Sequence, residues 1–293
     1  MQNFIIFFNE KEGTSPLVRL LDNFDQVSIV HQVDNSGWEP FDQHNCGPMP
    51  LANLECCLDI IFGEEPIDTE RLDQVYTETA KSSLAGFSKS GAVGFKMRFV
   101  PPRNNSPYMA SFSPWNRMYK RRAESLFRRM MLEILSRNNV GVFFAVRQDV
   151  LRWGLSKYHG DGTGKPGHLQ FKLASGQISR GDIDKVSVDC VRLDKIISTY
   201  EEELGRKRRL MEEFELAGIR TRPLIYEEFL EDKQKYFGEI FEFLDLKVSG
   251  EEIDAAINAG GYFKKVHSDN ISDFVENHEE VNEKFGNRFV SWR

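Results

Sequence analysis

Several things that would decide the class of this chain are missing or scarce. It has four cysteines, Cys46, Cys56, Cys57 and Cys190, and they make neither a CxxC pair nor a Cys/His ligand spacing. Nothing therefore points to a disulfide framework, which a chain this long does not need, and the reducing cytoplasm is the expected compartment. No run of eighteen apolar residues occurs, which excludes a membrane-spanning helix. The first residues lack the charged, apolar and small-residue regions of a signal peptide, so residues 3–8 are read as a strand. Positive charge is in deficit: 38 Lys and Arg face 45 Asp and Glu, for a net charge of −7. General affinity for nucleic acid comes mostly from neutralising phosphates and is not expected, so any anionic ligand must be held by a local cluster. No His/Cys/Asp cluster has metal spacing, and there is no internal repeat or low-complexity segment.

What is present is ordinary globular composition, with 40% hydrophobic and 28% charged residues in 293. Strand-like apolar runs recur at Phe4–Phe8, Val27–Val30, Ala92–Phe99, Val140–Val146 and Thr221–Ile225. Helical patterns lie at 16–24, 51–62, 67–84, 116–137, 148–158, 186–217, 233–245 and 250–258. Nearly all-apolar strands alternating with helices predict a parallel sheet covered on both faces. The expected architecture is a single domain over 1–293, a three-layer α/β/α sandwich with a mostly parallel central sheet. Two stretches, 100–114 and 159–183, read as long irregular loops, and long loops in a compact domain are more often functional than not.

The first strand runs into Asn9-Glu10-Lys11-Glu12-Gly13-Thr14-Ser15-Pro16 and then into a helical pattern. Unpaired N–H groups of a first helical turn, the positive end of its dipole, a Gly, a Lys and two hydroxyls converge there, as an anion site requires. The spacing is not that of GxxxxGK[ST]. A second Gly-rich run, Gly160-Asp161-Gly162-Thr163-Gly164-Lys165-Pro166, follows a helix and has Pro where a magnesium-ligating hydroxyl belongs, so it is set aside.

The segment Glu10-Lys11-Glu12-Gly13-Thr14-Ser15 resembles the 5′-phosphosulfate loop of the PAPS-dependent sulfotransferases, with Glu10 in place of a usual Pro and Glu12 in place of a usual Ser. A carboxylate at Glu12 would repel the anion unless it turned outward to a Lys or Arg. The strand 142–146 followed by Arg147 and a helix bearing Ser156 resembles the family's 3′-phosphate segment, with a separation of nine residues against the usual eight. Either Arg147 shifts or Arg152, one turn before Ser156, shares the task. Pro223-Leu224-Ile225-Tyr226-Glu227-Glu228, with Phe243-Leu244-Asp245-Leu246 closing the next helix, resembles the segment whose Tyr meets the adenine. Lys264-Lys265, leading to Asp273-Phe274-Val275-Glu276-Asn277, resembles the late basic loop over the 3′-phosphate, without its glycines. The matches occur in family order over nearly the whole chain and are nearest in character to the bacterial carbohydrate or lipid type.

The resemblance implies a P-loop nucleotide-binding type of fold. It also implies sulfuryl transfer from PAPS to a hydroxyl on a carbohydrate, glycolipid or small metabolite, with PAP as product and no metal. Lys11 would stabilise the leaving phosphate. Lys11, Glu12, Gly13, Thr14, Ser15, Arg147, Ser156, Tyr226, Lys264 and Lys265 would hold the nucleotide. Glu39 or His44, in the loop Trp38-Glu39-Pro40-Phe41-Asp42-Gln43-His44, would take the acceptor's proton. Two rivals stay open: a catalytically idle nucleotide-binding module, favoured by Glu12, and a P-loop kinase of small molecules. Neither the acceptor nor the oligomeric state is legible in the sequence.

Overall fold

The computed structural model describes residues 2–30, 58–63, 91–98, 117–162, 185–259 and 270–292. Among these residues five strands, β1 (Asn3–Phe8), β2 (Val27–Ile29), β3 (Ala92–Arg98), β4 (Val140–Val146) and β5 (Thr221–Ile225), form one sheet in the order β2-β3-β1-β4-β5. Every pairing is parallel. Such a sheet must be covered on both sides, and alternation along β1 and β4 sends side chains to two separate cores. On one face Ile5, Phe7, Val142 and Phe144 pack with Met131, Ile134 and Leu135 of α2 (Arg117–Arg137) and with Leu210 and Phe214 of α4 (Cys190–Leu216). On the other, Phe4, Ile6, Phe8 and Phe143 pack with α1 (Thr14–Leu21), α6 (Lys233–Phe243) and Ile253 of α7 (Gly250–Ala259). The fold is a three-layer α/β/α sandwich.

A third core lies beyond the carboxyl ends of β4 and β5. Val146 and Ile225 meet α3 (Val150–Gly162), the first half of α4, the turn at Ile271–Asp273, α8 (His278–Phe285) and Trp292. Gly154 lets α3 approach α4 closely, because a Cβ there would stand 2.7 Å from Ile197 Cγ1. The chain builds β2 and β3 on one side of β1 and then crosses to β4 and β5 on the other. The segments after β1 and β4 thus flank the crevice where open parallel sheets bind ligands.

All five strand predictions fall within one residue of the observed bounds at each end, and β4 and β5 match at both. The helix predicted at 16–24 starts earlier, at Thr14, because Gly13 already takes the N-cap place. Of the irregular stretch expected over 159–183, residues 159–162 are helical, as the end of α3, and the rest lies outside the described residues. Two short helices, α5 (Tyr226–Glu231) and α8, were not expected. Of the predicted helix 51–62, residues 58–62 are described and helical; the helix at 67–84 and the stretch 100–114 lie outside the described residues.

Candidate active site

The site grows from the five residues between β1 and α1. Lys11 has φ 67° and Gly13 has φ 76°, so the backbone twice enters the left-handed region before α1 begins. Gly takes that conformation without penalty, whereas for Lys11 it costs about 1 kcal/mol and must be held by the surroundings. No side chain caps α1, and its first turn contains no acidic residue, so the helix presents its N–H groups and positive dipole end to whatever occupies the loop. Pro16, in that first turn, removes a donor that has no partner within the helix. The Lys11 side chain is exposed, Thr14 is buried and Ser15 half-buried.

Both carboxylates of the loop are neutralised. Glu10 accepts from Arg98 Nη1 at 2.7 Å and from Lys157 Nζ at 2.6 Å. Burial raises the Glu10 carboxyl pKa, but the ionic contacts with Lys157 and Arg98 outweigh it and hold the group below its ordinary value. Glu12 turns inward, beneath the loop, and not outward as the sequence had required of a tolerable carboxylate. Lys207 Nζ, from α4, donates to both Glu12 oxygens at 2.7 Å, and both side chains are fully buried. Tyr200 donates its hydroxyl to Glu12 Oε1 at 2.8 Å, and the Asn9 backbone N–H donates to Oε2 at 2.5 Å. Burial pushes the Glu12 carboxyl up and the Lys207 ammonium down, while their mutual attraction pulls each back. Burial and the nearby Glu12 charge push the Tyr200 hydroxyl far above its usual range.

With Glu10 and Glu12 engaged, Lys11 and Arg147 pair with no carboxylate among the described residues. Arg147, directly after β4, brings its guanidinium to the loop. Its Nη1 lies 3.4 Å from the Lys11 carbonyl oxygen, and its Cζ is 4.9 Å from the centroid of the Tyr226 ring. Tyr226, the first residue of α5, covers Gly13 so closely that a Cβ at Gly13 would lie 2.4 Å from the ring. Glu227 accepts from the backbone N–H groups of Gln148 and Asp149, each at 3.0 Å, and so fastens the turn after β4. Arg152 Nε is 4.0 Å from Asp149 Oδ2 in the first turn of α3. Ser156 is half-buried and shares a face of α3 with Trp153, three residues before it. Trp153 in turn donates its indole N–H to the Glu10 carbonyl oxygen at 2.7 Å.

The structure thus brings Lys11, Glu12, Gly13, Thr14, Ser15, Arg147 and Tyr226 together at the carboxyl ends of β1 and β4, with Ser156 one helix face away. Glu39, His44, Lys264 and Lys265 lie outside the described residues. Three residues of the site escaped sequence reasoning. Lys96, on β3, is buried, with its Nζ 3.2 Å from Ser15 Oγ and 4.5 Å from the Phe8 ring centroid; a Lys inside the run Ala92-Val93-Gly94-Phe95-Lys96-Met97 was the available signal. Lys207 and Tyr200 belong to the buried stripe Leu193, Ile197, Tyr200, Leu204, Lys207, Leu210, Phe214. A Lys on the apolar face of an amphipathic helix marks a buried partner elsewhere.

Among the described residues no group of His, Cys, Asp and Glu could hold a metal, and no helix is long and apolar enough to cross a membrane. No family model matches the chain, and no curated protein matches it by sequence. Among solved structures it is similar to a sulfotransferase from Mycobacterium avium, with 11% identity and a TM-score of 0.41 over 97% of this chain and 75% of that one. A likeness that distant carries no argument about function; the geometry of the loop has to.

Proposed function

We propose that the protein is a PAPS-dependent sulfotransferase that moves a sulfuryl group to a hydroxyl on a carbohydrate, glycolipid or small metabolite. The observation that supports this most is the loop after β1. Its two carboxylates are each bound by cations, its backbone opens into the N-terminus of α1, and Lys11 and Arg147 stand at its mouth. Glu12, the feature that favoured an idle module, is neutralised from below by Lys207. It therefore no longer argues against an anion in the loop.

In this reading the 5′-phosphosulfate lies on the N–H groups of Gly13, Thr14 and Ser15, with Lys11 and Lys96 supplying charge. Arg147 and Ser156 take the 3′-phosphate, together with Lys264 and Lys265, and Tyr226 faces the adenine. The acceptor oxygen attacks sulfur in line as the bond from sulfur to the bridging phosphate oxygen breaks. The acceptor's proton passes to Glu39 or His44, and PAP leaves with the added negative charge on its 5′-phosphate. Such loose group transfers ask the protein chiefly to align donor and acceptor and to stabilise charge. Lys11 meets that charge as it develops, so Lys11→Ala should lower PAPS turnover by roughly 10²–10³-fold. The test is transfer of labelled sulfate from PAPS to a panel of sugar and lipid hydroxyls. Turnover that survives Lys11→Ala would remove the assignment.

A further inference from the structure

The loop after β1 and the turn after β4 are not held apart by their own backbones. Both are fastened to one face of α4. Lys207 grips Glu12 in the first segment and donates at 2.6 Å to the carbonyl of Ala145, near the end of β4, the strand that leads into the second. Two turns earlier on the same face, Tyr200 donates to Glu12 and accepts the Arg147 backbone N–H at 3.0 Å. The Tyr200 ring cannot drift, because Trp153 of α3 stacks on it with centroids 3.8 Å apart and planes 7° apart. Glu12 lies between Lys11 and Gly13, the two left-handed residues of the loop. Its anchor therefore decides where the Lys11 side chain and the first N–H groups of α1 point.

We infer that Tyr200 and Lys207 are positioning residues that set the spacing of the two phosphate-gripping segments and thereby the selectivity for a nucleotide carrying phosphate at both the 3′ and 5′ positions. This rests on the reading of the site given above. Neither side chain reaches solvent, so neither touches the nucleotide, and their effect passes through Glu12 and Arg147. A ligand with one phosphate needs only one segment in place. A ligand with two needs both at once, at a fixed separation, and a rigid spacer lowers the ordering cost of meeting that demand.

Tyr200→Phe isolates the effect, since it keeps the ring and its stacking on Trp153 and removes only the hydroxyl that joins Glu12 to Arg147. The experiment is calorimetric titration of wild type and variant with adenosine 3′,5′-bisphosphate, adenosine 5′-monophosphate and adenosine 3′-monophosphate. The ratio of 5′-monophosphate to bisphosphate dissociation constants measures what the 3′-phosphate adds. It should fall about tenfold in Tyr200→Phe, the scale of one hydrogen bond to a charged group, while 5′-monophosphate affinity changes less. Lys207→Arg keeps the charge, moves its point of contact and gives a second route to the same fall if the first variant proves too unstable to titrate. A role confined to stability would lower the melting temperature and leave the ratio alone, and that result would overturn the inference. A wild-type protein without preference for the bisphosphate would overturn the reading of the site itself.

Discussion

Lys207→Met gives the sharpest test of how the loop is held. Methionine keeps most of the length of the side chain and removes the ammonium, so Glu12 retains Tyr200 and the Asn9 N–H as donors but loses its counter-charge. Both partners are wholly buried, and breaking such a pair from one side costs about 3–5 kcal/mol. Against the roughly 5–15 kcal/mol that holds a domain together, that is a large share. It corresponds to a fall in melting temperature of roughly 10 °C. The paired variant Glu12→Leu with Lys207→Met removes both charges and should recover most of the loss, since replacing a buried ion pair by apolar residues is often neutral. The loss also has a pH signature. Without Lys207, burial, the largest influence on Glu12, is opposed only by the hydrogen bonds from Asn9 and Tyr200, and it raises the folded pKa further above the unfolded value. The single variant then keeps its stability below the unfolded pKa and loses it as pH rises through the folded one. Denaturant unfolding of the four proteins of the cycle, at pH 4 and pH 7, reads all of this. Single variants that each cost under about 1 kcal/mol, with an additive double, would refute the buried pair.

Two further outcomes follow from the same loop. Gly13→Ala forces a Cβ into the Tyr226 ring at a left-handed φ; it should cost at least about 1–2 kcal/mol from the backbone alone and abolish nucleotide binding in the same titration, whereas unchanged binding would contradict the packing of Tyr226 on the loop. Glu10, held below its ordinary pKa by Lys157 and Arg98, contributes stability that is present above its unfolded value and lost as pH falls through its folded one. In unfolding midpoints measured from pH 6 down to pH 3, Glu10→Gln should flatten the acid limb of the wild-type curve, and parallel curves would remove the clamp.

The sheet was legible because its signal is local. Phe4–Phe8 and Val142–Val146 are unbroken apolar runs of strand length, and a strand buried on both faces needs nothing else. The anion loop was legible for the same reason, as a contiguous Lys-x-Gly-Thr-Ser between a strand and a helix. Glu12 was misread in direction because its partner lies 195 residues away in the chain, and no local pattern around residue 12 can name it. The pairing becomes visible only when α4 is seen from its own side, where Lys207 occupies a place that Leu204 and Leu210 mark as core. Tyr226 was singled out on resemblance alone; its contact with Gly13 depends on β5 ending beside the loop after β1, which topology decides and spacing does not. Helix α5 stayed hidden because six residues are too few for a periodic pattern to show.

The central claim is that the segments after β1 and β4 together grip a nucleotide phosphorylated at both ends of its ribose. The most direct measurement is the melting temperature of the wild-type protein with adenosine 3′,5′-bisphosphate, compared at equal concentration with adenosine 5′-monophosphate and adenosine 3′-monophosphate. Binding to the folded state alone at a hundredfold excess over the dissociation constant adds about 2.7 kcal/mol. The account predicts a rise of several degrees with the bisphosphate and a clearly smaller one with either monophosphate. Equal shifts with all three, or none with the bisphosphate, would contradict it.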